Sequence, residues 1–362
     1  MLIAFELSGE HNTIPGSEVF SCLRSLNADF QVCHSLDGCL VIDLKTRIQE
    51  IVENISKRLA MTHHITKVLG IGGPGEQEIV DLVEKNMPEF EGTYSIRVKR
   101  VREHSKINTE SMERQIGGIF YKKRKRANLK NPQIQFRVVL TEDKSIFASL
   151  ICSIDRSIFE ARKPHFKPFF YPGVLMPRVA RALVNISMPQ ESLFDPFCGT
   201  GGILVEAGFI GIKVIGGDMQ RKILLGAKMN LDHYNADYSL MYEDACRLAL
   251  RNESVDAVVT DPPYGRSAAI KAESLEYMLA ISMKEIYRVL KPGKRLVFIS
   301  ERPVEAIALD AGFEVIEIHL QRVHKSLTRR ILVLEKPGLD NLDRSGQEGD
   351  YGAIEKSHIS AH

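Results

Sequence analysis

Asp195-Pro196-Phe197-Cys198-Gly199-Thr200-Gly201-Gly202 and, some sixty residues on, Asp261-Pro262-Pro263-Tyr264 decide how this chain reads. The apolar pair Leu193-Phe194 stops abruptly at Asp195, and an apolar helical run, 203–210, follows the glycines. Three glycines in four positions allow positive φ and close approach of backbone to a ligand. Such a turn between a strand and a helix is where open α/β sheets bind nucleotide-like molecules. No Lys-Ser/Thr follows the glycines, which argues against a phosphate loop for ATP or GTP.

The next apolar run, 213–217, ends in Asp218-Met219, with Asp218 placed 23 positions after Asp195. An acid there suits two ribose hydroxyls, a feature dinucleotide enzymes share. A third strand ends in Glu243-Asp244-Ala245, where a carboxylate suits an adenine amino group. The fourth, 255–260, runs into Asp261-Pro262-Pro263-Tyr264. Two prolines fix φ and remove two N–H donors, so nearby carbonyls are free to accept. Asp261 adds a carboxylate and Tyr264 a flat face. The exocyclic amine of a base needs such a site, because its lone pair is delocalised into the ring. Two acceptors hold its N–H groups while the aromatic ring stacks on the base, and catalysis is mostly positioning and electrostatics.

The set Asp195-Pro-Phe-Cys-Gly-Thr-Gly201, Asp218, Asp244 and Asp261-Pro-Pro-Tyr264 resembles the S-adenosylmethionine-dependent amino-methyltransferases. More narrowly, the chain resembles the archaeal and eukaryotic tRNA guanosine-10 N2-methyltransferases. Arg162-Lys-Pro-His-Phe-Lys-Pro-Phe-Phe-Tyr-Pro-Gly173, Gly199-Thr-Gly-Gly-Ile-Leu-Val-Glu-Ala207 and His324-Lys-Ser-Leu-Thr-Arg-Arg-Ile331 carry the narrow match. It is good over about 155–335 and consistent in layout before that. The resemblance implies an α/β fold: a Rossmann-like, seven-stranded class I methyltransferase sheet behind an N-terminal α+β region, ferredoxin-like plus THUMP, that binds RNA. It implies S-adenosyl-L-methionine as cofactor, held by Asp195, Phe197, Gly199, Thr200, Gly201, Asp218, Met219, Asp244 and Ala245. Asp261, Pro262 and Tyr264 are the expected catalytic residues. Its implied partner is tRNA, with room for a small activating zinc-binding partner protein, and its implied compartment is the cytoplasm. The same tetrapeptide also serves enzymes acting on DNA adenine or a glutamine side chain, and other THUMP-containing enzymes methylate guanine N2 at different positions. A catalytically dead RNA-binding protein is the remaining alternative, which the intact acids and glycines oppose.

At 362 residues, 44% hydrophobic and 26% charged, the chain has the composition of an ordinary globular protein of two or three domains. No apolar run reaches the length of a membrane span, and residues 1–10 lack the basic start of a signal peptide. The cysteines are scattered without a C-x-x-C pair, so no zinc or other metal site is expected. A net charge of +2 conceals an asymmetry. Residues 1–96 carry 7 Lys/Arg against 14 Asp/Glu, whereas 97–137 carry 13 against 3. A basic block of that density suits a polyanion.

The domain reading is 1–45 as a small ferredoxin-like α+β unit, 46–154 as the THUMP domain, 155–184 as a Pro- and aromatic-rich linker, 185–336 as the methyltransferase domain and 337–362 as a disordered tail. Expected RNA contacts are Arg97 and Lys99 on a strand, the run Lys122-Lys123-Arg124-Lys125-Arg126 with Arg100 and Arg102 nearby, Lys163 and His165 in the linker, and Arg329 on a basic rim between the last two strands.

Overall fold

The computed structural model describes residues 1–101, 105–265, 272–325 and 327–338. Arg102, Ser326 and the tail from 339 onward, expected to be disordered, lie outside the described residues.

In chain order the N-terminal half forms β1 (Leu2–Leu7), α1 (Ile14–Ser25), β2 (Phe30–Leu36), β3 (Cys39–Leu44), α2 (Ile48–Arg58), β4 (Thr62–Gly72), α3 (Glu76–Asn86), β5 (Thr93–Arg100), α4 (Thr109–Lys122), β6 (Arg126–Ala127), β7 (Ile134–Leu140) and β8 (Ser145–Ser153). These strands make one eight-stranded sheet, ordered β2-β3-β1-β4-β8-β7-β5-β6. The division expected near residue 45 does not interrupt it. β4 pairs antiparallel with β1 on one side and β8 on the other, and α2 buries Ile51 and Ile55 with Ile3 and Phe5. Gly70 and Gly72 are strand residues of β4. Leu82 and Asn86 of α3 occupy the space a side chain on Gly70 would need. The sequence reading also assigned no element to α4. Asn108 caps it by accepting from Ser111 N at 3.0 Å, and Met112, Ile116, Ile119 and Phe120 pack it onto Tyr94, Phe136 and Phe147.

Residues 154–176 pass through two short 3-10 turns, Ser157–Arg162 and Pro164–Phe166, to α5 (Pro177–Ile186). Then come β9 (Ser192–Asp195), α6 (Gly202–Gly208), β10 (Lys213–Asp218), α7 (Arg221–His233), β11 (Tyr238–Tyr242), β12 (Val255–Thr260), α8 (Ala272–Val289), β13 (Leu290–Ser300), α9 (Glu305–Asp310), β14 (Glu314–His324) and β15 (Leu327–Glu335). The seven strands order as β11-β10-β9-β12-β13-β15-β14. The first five are parallel and β15 runs antiparallel to both neighbours. All six residues of β12 are buried, which a parallel strand covered on both faces requires. One face packs on α5, α6 and α7 through Leu183, Leu204 and Ala227. The other packs on α8 and α9 through Leu279, Ile286 and Ala308. Among the described residues no helix is long and apolar enough to cross a membrane.

Candidate active site

An open parallel sheet binds ligands outside the carboxyl ends of its strands, where the strand order reverses. Here the reversal lies between β9 and β12. Asp195 and Asp218 end β9 and β10, while Glu243-Asp244 and Asp261 directly follow β11 and β12. The parallel register sets Asp218 opposite Tyr242, so the acids share one edge of the sheet.

The Gly-rich turn is closed by its own bonds. Gly199 and Gly201 have φ of 54° and 75°, a region open to glycine at no steric cost. Cys198 N donates to Gly217 O at 2.9 Å and Gly201 N to Cys198 O at 2.8 Å. Asp218 accepts from Gly199 N at 3.0 Å and from Gln220 N at 2.7 Å, and burial pushes its carboxyl up. Thr200 and Ala245 are buried, Phe197 is half-buried, and Met219 and Asp244 are exposed. Asp244 Oδ1 accepts from Cys246 N at 2.9 Å.

Asp195 departs from its expected role as a cofactor contact. It is 1% exposed, and its Oδ1 accepts from the Thr260 hydroxyl at 2.7 Å and from Phe197 N at 3.2 Å. Burial pushes its carboxyl up to about 8, and neighbouring Asp261 and Asp218 add to that. It braces the turn from below. Glu243, passed over in favour of Asp244, packs against Gly217. One of its oxygens accepts from Ala249 N at 3.0 Å, and the other is buried with no partner among the described residues. Two adjacent acids at a strand end were the only signal, and sequence does not say which one turns inward.

Asp261 follows β12 with 18% of its side chain exposed. Its Oδ1 accepts from the Tyr264 hydroxyl, and Arg329 Nη2 lies 3.6 Å from Oδ2. Burial pushes its carboxyl up, while Arg329 and the Tyr264 hydroxyl oppose that. The Tyr264 hydroxyl is itself pushed up by burial and by Asp261. Pro262 is buried. Arg329 corrects the expected RNA rim. β14 and β15 fill most of the segment read as a connecting loop, and Arg329 is buried in β15. Its Nε donates to Tyr264 Oη at 3.0 Å and its Nη2 to Gly173 O at 3.2 Å.

The other expected RNA contacts divide. Lys99, Lys122, Lys123, Arg124, Arg126 and His165 are exposed. Arg97 is half-buried, 3.8 Å from Glu113, and Lys163 is paired with Glu160. Lys125 is a correction. Its ammonium donates to Phe90 O at 2.6 Å, lies 3.5 Å from Glu89 and sits 4.6 Å over the Phe90 ring, so the fold itself uses it.

A seven-stranded sheet with a Gly-rich turn after its first strand, acids at the next strand ends and Asp-Pro-Pro-Tyr after the fourth defines a class I methyltransferase. Comparison with known proteins narrows this. The family model of the RMKL-like methyltransferase domain, UPF0020, matches residues 164–331, and that of the THUMP domain matches 76–148. The tRNA (guanine(10)-N2)-dimethyltransferase of Methanothermobacter thermautotrophicus is 34% identical over 336 residues, covering 91% of this chain and 98% of that protein. The enzyme of the same name from Methanocaldococcus jannaschii is 31% identical over 367 residues, covering 92% and 100%. The crystal structure of TrmN from Thermus thermophilus has the same fold, with a TM-score of 0.54 at 19% identity over 93% of this chain and 100% of that one. This chain belongs to the tRNA (guanine(10)-N2)-dimethyltransferase family, enzymes that methylate guanine N2 in tRNA.

Proposed function

We propose that this chain uses S-adenosylmethionine to methylate the exocyclic N2 of guanosine 10 in cytoplasmic tRNA, once and then again to the dimethyl product. The observation that carries the reading is Asp261, part-buried at the sheet's reversal point and held by Tyr264 and Arg329. The residues at the strand ends fit the cofactor. The unpartnered buried oxygen of Glu243 faces the same edge as Asp218, and together they offer acceptors for hydroxyl or amino donors. When bound, S-adenosylmethionine supplies an electrophilic methyl group.

The chain's own residues prepare the nucleophile. Guanine N2 carries two N–H donors. Asp261 accepts one, since a carboxylate has about four lone-pair sites and Tyr264 uses only one of them. The Pro262 carbonyl accepts the other. Bonding both in this way favours pyramidal nitrogen and frees its lone pair. The Tyr264 hydroxyl is spent on Asp261, which fixes the ring and leaves its face for the flipped-out base. The proton leaves N2 after transfer, so no separate strong base is needed. The exposed Lys122, Lys123, Arg124 and Arg126 suit the RNA backbone.

The test is single-turnover methylation of a tRNA transcript by purified Asp261→Ala protein at saturating cofactor. Removing a preorganised acceptor should slow transfer about a hundredfold or more, with tRNA and cofactor affinities retained and Asp261→Asn less impaired. A transcript with inosine at position 10, which lacks N2, should not react. A near wild-type rate for Asp261→Ala removes this residue from the mechanism. Run with the purified chain alone, the assay also decides whether a small activating zinc-binding partner is needed.

A further inference from the structure

Lys167 is a buried cation without a counter-charge of its own. It is 8% exposed, and among the described residues nothing accepts a hydrogen bond from its Nζ or pairs with it. The segment that carries it is anchored over the Gly-rich turn. Asn230 of α7 accepts from Phe169 N and donates to Phe169 O and Thr200 O, each at 2.9 Å. The Phe169 ring fills the space a side chain on Gly226 would take. Lys167 Nζ thereby lies 3.8 Å from the Cβ position of Gly202, the residue that opens α6 beside the turn.

The charges around it do not balance. Glu206, one helical turn beyond Gly202, is fully buried, and Arg162 takes both its oxygens at 2.8 and 3.0 Å. Arg181 lies 3.0 Å from the second of these. Arg162, Arg181 and Lys167 thus converge on one carboxylate whose oxygens are already engaged. Glu18, which also acts on Arg181, is occupied by Ala60 N, Met61 N and Asn185 at 2.9, 2.9 and 2.8 Å. Burial pushes the Lys167 ammonium down, and Glu206 offsets only part of that. An unpaired buried ammonium is costly, so a site holding one beside a ligand-binding turn calls for an anion.

We propose that Lys167 binds the carboxylate of the amino-acid end of S-adenosylmethionine and that this carboxylate completes the local charge balance. The proposal rests on the methyltransferase reading and adds a specificity-determining residue to it. A single charge-assisted bond is worth about tenfold or more in affinity.

Calorimetric titration of the full chain with S-adenosylmethionine and with its decarboxylated analogue, which keeps the sulfonium and the amine, tests this. Wild-type protein should prefer the carboxylated ligand. Lys167→Met should lose about tenfold or more of its affinity for S-adenosylmethionine yet bind the decarboxylated analogue as wild type does, and Lys167→Arg should recover most of the loss. Equal losses for both ligands overturn the proposal, since they mark a packing role. Unchanged S-adenosylmethionine affinity with weakened tRNA binding overturns it in favour of an RNA phosphate. If Lys167→Met does not fold, wild-type discrimination decides, and no preference for the carboxylated ligand sinks the idea. Wild-type protein that binds neither ligand would instead count against the methyltransferase reading itself.

Discussion

Replacing Arg329 with Met should slow methyl transfer although Arg329 meets no substrate atom in the proposed mechanism. Its guanidinium spans three groups: Tyr264 Oη at 3.0 Å, Gly173 O at 3.2 Å and Asp261 Oδ2 at 3.6 Å. The Arg329 and Asp261 side chains are only 9% and 18% exposed. At an effective dielectric near 20, opposite charges at this separation attract by roughly 4–5 kcal/mol, an upper bound before desolvation. A hydrogen bond from a charged group contributes about 1.5–3 kcal/mol net. If one such contact bears on the rate, its loss slows transfer roughly 10- to 150-fold. The pH dependence gives a second readout. Burial raises the Asp261 carboxyl, and Arg329 and Tyr264 lower it. Asp195, the other acid facing it, is itself raised by burial. Only ionised Asp261 accepts fully, so activity is present above its pKa and falls away below it. Without Arg329 that pKa rises, and the acid limb must move to higher pH. Single-turnover rates from about pH 5 to 9 on wild type, Arg329→Met and Arg329→Lys measure both effects, with Lys expected to restore part of each. An unmoved acid limb and a plateau rate within about twofold of wild type would refute the positioning role. A change confined to tRNA affinity and its salt dependence would return Arg329 to the RNA surface.

Three further outcomes follow from the geometry. Changing Lys122, Lys123, Arg124 and Arg126 to Ser should weaken tRNA binding and lower its salt slope by about one unit per lost phosphate contact, with cofactor affinity unchanged. Lys125→Ala should instead lower thermal stability, and a salt-slope effect from Lys125 but not from its neighbours would reverse this assignment. Asp195 sets a stability trend of unusual sign for an acid. Its folded pKa of about 8 lies above the unfolded value of about 3.9. The native state therefore holds more protons between those limits, and stability falls as pH rises through them. Thermal melts across that window should show a slope that Asp195→Asn flattens, and an unchanged slope in the variant would falsify the shift.

The parts legible in sequence were those whose chemistry sits in consecutive residues. The Gly-rich turn needs positive φ at Gly199 and Gly201, only two positions apart, and Asp-Pro-Pro-Tyr carries its acceptors side by side. β12 was legible because its centre, Ala257-Val258-Val259, is apolar on successive positions, as a strand covered on both faces needs. What stayed hidden depends on partners far along the chain. Arg329 stands 65 residues from Tyr264, and only the antiparallel return of β15 brings them together. Read along the chain, Lys125 is one of five equal cations, and nothing local points to Phe90, 35 residues away. Nothing local explains the small size of Gly70 and Gly72 in β4, since its reason, Leu82 and Asn86 of α3, lies on another element. The single N-terminal sheet was read as two units because α2 separates β3 from β4 in sequence, whereas β4 returns to pair with β1.

The join between the two halves bears on how a target nucleotide is chosen. Glu18 of α1 is fully buried and accepts from Ala60 N and Met61 N, both at 2.9 Å, and from Asn185 of α5 at 2.8 Å. Asn185 also donates to Arg58 O at 2.9 Å. Around them Ile14, Ala60 and Met61 share one core with Leu183 and Ile186 of α5, and Thr13 meets His319 of β14 at 2.7 Å. Domains joined by polar, solvated surfaces move by default, whereas large apolar interfaces hold them. This interface is apolar at its centre, and the buried Glu18 carboxylate is met by three donors. Breaking any one of these bonds strands a buried polar group, a cost of about 1–3 kcal/mol that opposes loosening. The span from the basic face of the N-terminal half to Asp261 is then set by the fold. On the proposed reading, a tRNA held at the basic face presents only the nucleotide that lies at that span from its anchor. Position selection in that arrangement comes from the distance between two anchored surfaces, and the acceptors of Asp261 and Pro262 need only distinguish an exocyclic amine from its absence.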